Sequence, residues 1–353
     1  MADDSDTPTG GSTRGRQPAR TPTVLPGISS RAWEHPADKG ALVALRKLKG
    51  FDTLLKTLSG LVNERSVRLM LLGSSVRADE RNFARLHRLL ADVAAVLDCQ
   101  DVPELYVRAS PTFNAFTIGM NKPIIVVNSG LVELIGEDDD EMRFLLGHEL
   151  GHAMSGHSVY RTLLMRLLAL TGVLYAIPGG ALGVRAITAA LMEWSRKSEL
   201  SADRAGLLAG QNPAAATRFH MKLASGGHIE DLDATSFFAQ GNEYTETEDF
   251  RDSLLKVFLV ENQTHPFAVV RAAELRRWTE AGEYTAILGG AYPRRDDDAT
   301  AKVSDAAQEA AASYTDTFRR TQDAVGNLVH DVAGFLGQAR LWIDERFRPP
   351  PAS

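Results

Sequence analysis

A single cysteine, Cys99, stands among 353 residues. That excludes an intrachain disulfide framework and any metal site built from several thiolates of one chain. Any metal must therefore be held by His and carboxylate side chains. No excess of positive charge is present either: 39 basic residues against 45 acidic leave a net charge of −6, so nothing favours nucleic acid as a partner. Residues 1–30 lack the apolar run of a secretory signal and are rich in Thr, Pro, Gly, Ser and Arg; they read as a disordered tail. What the chain does have is apolar content, 44% of its residues, enough for a sizeable core in one large domain or a domain with appendages.

The one long uncharged run, Leu167 to Val184, lies within the apolar stretch Leu163–Leu191 and has about the length of a short membrane span. Arg166 and Arg185 flank it, and Pro178-Gly179-Gly180 divides it into pieces too short to cross separately. A buried helical hairpin over 162–192 that can touch a membrane surface is the preferred reading, with a short membrane span as the alternative. Upstream, apolar spacing predicts helices over Lys39–Ser75, with a break at Gly50-Phe51-Asp52, and over Val76–Leu97. The short β-branched or aromatic runs Glu104–Val107, Phe113–Ile118 and Pro123–Val127 predict a small sheet. Asn128 and Ser129 can cap a short helix that ends at Gly136. A helix from Asp138–Asp140 toward Tyr160 follows, then helices over Met192–Ala209, Ala214–Ala224, Phe250–Val260 and Phe267–Ala281. Residues 293–313 read as a linker or exposed helix, 314–348 as an amphipathic helix with Phe318, Val325, Leu328 and Trp342 on one side, and 349–353 as a tail.

The chemistry lies in His148-Glu149-Leu150-Gly151-His152. Residues four apart on a helix share a face, so His148 and His152 can present two imidazole nitrogens to one tetrahedral cation, for which zinc is the natural occupant. Glu149 points beside that face, where its carboxylate can hold a water on the metal and take its proton. A third ligand is still needed. His157, five residues after His152, would point away on a continuous helix and is given a structural role. Glu199, in the helix that returns from the hairpin, is the better candidate. Asp203, four residues on, can accept a proton from the far nitrogen of a ligand imidazole. The alternative is an exposed helix on which these acids pair with Arg196 and Arg204.

The pieces Asn114-Ala115-Phe116, Asn128-Ser129-Gly130-Leu131, Gly147-His148-Glu149-Leu150-Gly151-His152, Arg196 to Asp203, and Thr264-His265-Pro266 followed by Arg271 occur in the order seen in a known family. Over roughly Glu104 to Leu275 the chain resembles the HtpX-type zinc metallopeptidases, related to the CAAX prenyl endopeptidases and the Oma-type proteases. The resemblance implies an α+β, predominantly helical zincin-type fold over 31–292, with a small sheet beside the HExxH helix and one zinc per chain. It further implies a polypeptide substrate extended along the Asn114–Thr117 strand, Asn114 and His265 beside the scissile carbonyl, and Arg271 orienting that end of the site. Many relatives carry membrane spans before the zinc motif, and this chain begins with a polar tail instead. The expected activity is peptide hydrolysis with Glu149 as general base and His265 at the oxyanion, in a cytoplasmic or peripherally membrane-associated protein. Family analogy suggests protein quality control. The rival is a zinc-stabilised binding or chaperone-like module at a membrane surface with little hydrolysis.

Overall fold

The computed structural model describes residues 21–47, 51, 55, 64–174, 180–246 and 267–319. The expected helix Phe250–Val260, His265, the tail 349–353 and most of the expected helix 314–348 lie outside the described residues.

The described chain is mainly helical, with one four-stranded sheet. Helices α1 (Pro36–Arg46) and α2 (Glu64–Ser74) precede strand β1 (Val76–Arg77) and helix α3 (Ala84–Val96). Strands β2 (Glu104–Arg108), β3 (Ala115–Ile118) and β4 (Ile124–Asn128) then lead into the short helix α4 (Ser129–Ile135). The strand order is β1-β2-β4-β3: β2 and β4 run parallel, and the two outer pairs are antiparallel. β3 is therefore a terminal strand. All five β4 residues are buried, which fits the unbroken Ile124-Ile125-Val126-Val127 run.

Two helices set the position of the site. Helix α5 (Asp139–Met154) starts where Asp138 accepts hydrogen bonds from the backbone N–H of Asp140 and Glu141, both at 3.0 Å. Helices α6 (His157–Leu174) and α7 (Gly180–Gly210) form the arms of the expected hairpin. α7 lies unusually close to α5. A Cβ on Gly147 would come within 2.4 Å of Ala209 Cβ, one on Gly151 within 2.5 Å of Ala205 Cβ, and one on Gly206 within 2.7 Å of the Phe144 carbonyl. Small residues four apart on each helix let the backbones approach, so side chains from both can meet a single point. Helices α8 (Pro213–Ser225), α9 (Ala234–Glu246), α10 (Ala268–Glu280) and α11 (Glu283–Leu288) follow. The buried Glu141 anchors α8 to the start of α5, with Arg218 at 3.1 Å and Lys222 at 2.9 Å.

Four expectations need correction. Residues 21–30 belong to the fold: Leu25 and Ile28 are buried in the main core, and Leu25 N–H donates to the Val96 carbonyl at 2.8 Å. The helix expected from Val76 begins only at Ala84, because residues 76–77 pair with β2 and Asp79 holds a turn by accepting from the N–H groups of Arg81 and Asn82. The helix expected to reach Tyr160 ends at Met154, where Gly156 takes φ +70° and the chain restarts as α6. Finally, the segment expected to be a linker or exposed helix supplies most of helix α12 (Asp305–Arg319), which is packed on one side: its Ala307 and Ala311 are buried. Asn128 occupies the expected cap position before α4, but its side chain bonds Arg108 and Thr112 instead of the helix.

Between the hairpin arms and α1, a second apolar cluster gathers Ala41, Ala44, Leu45, Leu163, Leu191 and Trp194. Among the described residues no helix is long and apolar enough to cross a membrane.

Candidate active site

The close approach of α5 and α7 brings His148, His152 and Glu199 together, each almost fully buried. The two imidazole Nε2 atoms are 3.2 Å apart; Glu199 places Oε1 3.3 Å from His152 Nε2 and Oε2 3.5 Å from His148 Nε2. A cation coordinated tetrahedrally at about 2.0–2.1 Å would hold its ligand atoms roughly 3.3–3.4 Å apart. The His148–His152 spacing matches that edge, Glu199 turns one oxygen to each ring, and one ligand atom from each side chain lies within 4.8 Å of the others, so the three can share one metal ion; two imidazoles with a carboxylate are a donor set suited to zinc.

Glu149 turns toward the sheet. Thr117 Oγ on β3 donates to Glu149 Oε2 at 2.7 Å and lies 3.0 Å from the Glu149 carbonyl, while Oε1 is buried without a hydrogen-bond partner among the described residues. Asn114 lies just before β3, nearly buried, and its Oδ1 is likewise without a partner there.

Around this cluster the two imidazoles are braced differently. His148 Nδ1 meets Asp203 Oδ1 at 3.0 Å, and Arg271 grips Asp203 with Nε at 2.7 Å and a terminal nitrogen at 2.5 Å. His220 adds a 3.4 Å contact to the same carboxylate. His152 Nδ1 instead meets His157 Nδ1 at 3.0 Å. The break at Gly156 is what allows His157 to turn back toward the site, a return that a continuous helix would forbid. Arg161 on α6 donates to Glu199 at 2.9 Å, and Arg271 pairs with its other oxygen at 3.0 Å. Two guanidinium groups therefore offset the buried carboxylates.

These surroundings shift the titrating groups in opposite directions. Burial alone would lower His148, but its hydrogen bonds to Asp203 and Glu199 push it up to about 9. Burial, reinforced by the Arg161 charge, holds His152 well below the usual imidazole range. Asp203 is held well below the usual carboxylate range: burial opposes ionisation, yet Arg271 and His220 outweigh it.

The sequence-based candidates His148, His152, Glu149, Glu199, Asp203 and Arg271 thus converge. Arg196 pairs with Glu193 rather than Glu199, and Arg204 lies over the Trp278 ring, so the exposed-helix alternative for this segment does not hold. The sequence gives no sign of Arg161 or His220 here, and places Thr117 on the substrate strand without its bond to Glu149.

The family model for peptidase family M48 matches residues 80–279. Among similar proteins, the plastoglobule-localised metallopeptidase 48 of Arabidopsis thaliana chloroplasts is 33% identical over 76% of this chain and 78% of its own length. The protease HtpX of Xanthomonas oryzae pv. oryzae is 26% identical over 69% of this chain and 88% of its own length. The mitochondrial metalloendopeptidase OMA1 of Bos taurus is 30% identical over 46% of this chain and 32% of its own length. No solved structure matches the chain. A buried His-His-Glu cluster within a match that spans more than half the sequence leads to one conclusion: the chain belongs to peptidase family M48 and is a metalloprotease.

Proposed function

We propose that this metalloprotease is a zinc endopeptidase in which His148, His152 and Glu199 hold one zinc ion per chain and Glu149 is the general base. The observation that carries the reading is the 3.2–3.5 Å spacing of the three donor groups, with the carboxylate of the intervening Glu149 fixed by Thr117. The ion, when bound, supplies Lewis acidity toward the scissile carbonyl and the attacking water. Glu149 takes the proton of that water and returns it to the leaving nitrogen. Thr117 keeps one Glu149 oxygen occupied, leaving the other for the proton. Asp203 and Arg271 hold His148 and Glu199 in place without touching substrate.

As the terminal strand of the sheet, β3 suits addition of an extended peptide, so the substrate lies along Asn114–Thr117. Such a substrate must be unfolded locally, which agrees with a role in protein quality control. His265 completes this reading as the oxyanion donor through the family resemblance. Attachment at a membrane surface is part of the same proposal, supported by the exposed Met165 and Leu168 on α6.

Metal analysis of purified protein, together with cleavage of an unfolded model substrate, tests the proposal. One zinc per chain and chelator-sensitive cleavage are expected. Glu149→Gln should keep the metal and lose at least about a hundredfold in turnover; normal turnover in that variant would remove Glu149 from the mechanism.

A further inference from the structure

Beyond the residues that match the family model, the described N-terminal helix α1 places a carboxylate, Asp38, behind the metal cluster. Asp38 is 1% exposed, and its Oδ2 lies 3.0 Å from His157 Nε2, while His157 Nδ1 lies 3.0 Å from His152 Nδ1. The three groups make one continuous buried chain, Asp38–His157–His152, which ends at the imidazole proposed to bind the ion.

We propose that Asp38 and His157 are positioning residues for the metal: they fix the tautomer and ring orientation of His152, so that α1 forms part of the metal site. Proton positions along the chain follow from its two ends. For His152 to offer the Nε2 lone pair to a cation, its neutral ring must carry hydrogen on Nδ1 and donate it to His157 Nδ1. His157 must then carry its hydrogen on Nε2, facing a carboxylate that can accept it. Only one arrangement satisfies every member, and Asp38 selects it.

Asp38 is itself held firmly. Its Oδ1 accepts from Trp194 Nε1 at 2.9 Å and its Oδ2 from Ser201 Oγ at 2.6 Å, both on α7. From behind, α12 presses on α1 so closely that a Cβ on Gly40 would come within 2.5 Å of Ala310 Cβ. A carboxylate on the apolar side of an Ala-rich helix, given three donors in a buried place, has no packing reason to be there. Orientation of His157 supplies one.

The inference rests on the zinc reading, so its test reads metal binding rather than proteolysis. Zinc dissociation constants, measured by competition with a chromophoric chelator, and the cobalt(II) absorption spectrum are compared for wild type, Asp38→Asn, His157→Phe and the double variant. His157→Phe keeps a ring in the core while removing both nitrogens, and thermal unfolding of the metal-free proteins checks that each variant folds. Each single variant is expected to bind zinc roughly 10- to 100-fold more weakly, with an altered cobalt band. The double variant should be no weaker than His157→Phe alone, because one break already severs the chain. Wild-type affinity in either folded variant, or losses that multiply in the double variant, would overturn the inference. If the wild type bound neither ion, the zinc reading would fail first and this inference with it.

Discussion

His148 and His152 sit one helical turn apart on α5, yet the protein supports them by opposite means. Behind His148 stands a carboxylate in direct contact, itself held by Arg271, and the imidazole becomes strongly basic. Behind His152 stands another imidazole, with the carboxylate one residue further away and the Arg161 charge nearby, and the ring favours its neutral form. Both rings also touch Glu199, so Asp203 against one ring and the Arg161 charge near the other tip the balance against burial in opposite directions.

The sharpest way to break the comparison is to remove the direct brace. Asp203→Ala leaves the buried Arg271 without its main partner, and the stability loss should be about 3–5 kcal/mol, with metal affinity falling as well. Asp38→Asn should cost clearly less, since no buried cation loses its partner. Chemical denaturation of both metal-free variants checks this ranking, and equal losses would mean that the two braces are equivalent.

Both braces also depend on how near α7 comes to α5. Gly151→Ala adds a Cβ against Ala205 at 2.5 Å and forces the helices apart, a strain of roughly 1–3 kcal/mol. Because Glu199 moves with α7, zinc affinity should fall even at temperatures where the variant is folded. A pairing of Gly151→Ala with Ala205→Gly should recover part of both; if the pair restores neither, the contact is not what sets the spacing.

Thr117→Val sharpens a different contrast, between groups that hold metal and groups that hold the base. Only Glu149 loses a hydrogen bond, so turnover should fall about tenfold, the equivalent of roughly 1.4 kcal/mol, at unchanged zinc content. A parallel loss of zinc would show that Thr117 supports the cluster as a whole.

How much of this was legible depended on whether a relation lay along one element or between several. The three longer strands, α4, α5 as the motif helix, and the four-residue spacings His148/His152 and Glu199/Asp203 follow from local periodicity, and they were readable. His157 was misplaced because one glycine, Gly156, ends a helix that hydrophobic pattern alone would continue. Thr117 and Arg161 carry no signal in their own segments; only the packing of β3 and α6 against α5 gives them a role. Asp38 did leave a trace. It shares an apolar stripe with Ala41 and Leu45, at three- and seven-residue spacing, where a carboxylate is out of place unless something buried needs it. Residues 21–30 failed for the opposite reason: a composition typical of disorder masked Leu25 and Ile28, two apolar side chains sufficient to dock the segment.

The smallest expected effect concerns the docking of α1 itself. His35 caps that helix, its Nδ1 accepting the Ala37 N–H at 3.1 Å, and burial with the Arg204 charge lowers its pKa to about 3 from an ordinary 6.5. The unfolded chain therefore takes up the proton first as pH falls. Stability from this group is complete above about pH 6.5 and is lost progressively below it, until the folded value near 3 is reached. Between pH 7 and 6 the loss should be about 0.7 kcal/mol. His35→Asn keeps an acceptor at the cap but cannot titrate, so its denaturation midpoint should fall less over that interval than the wild type's. Equal pH dependence would mean that His35 stays accessible to protons in the folded protein, and that α1 is a looser support for His152 than the buried Asp38–His157 pair requires.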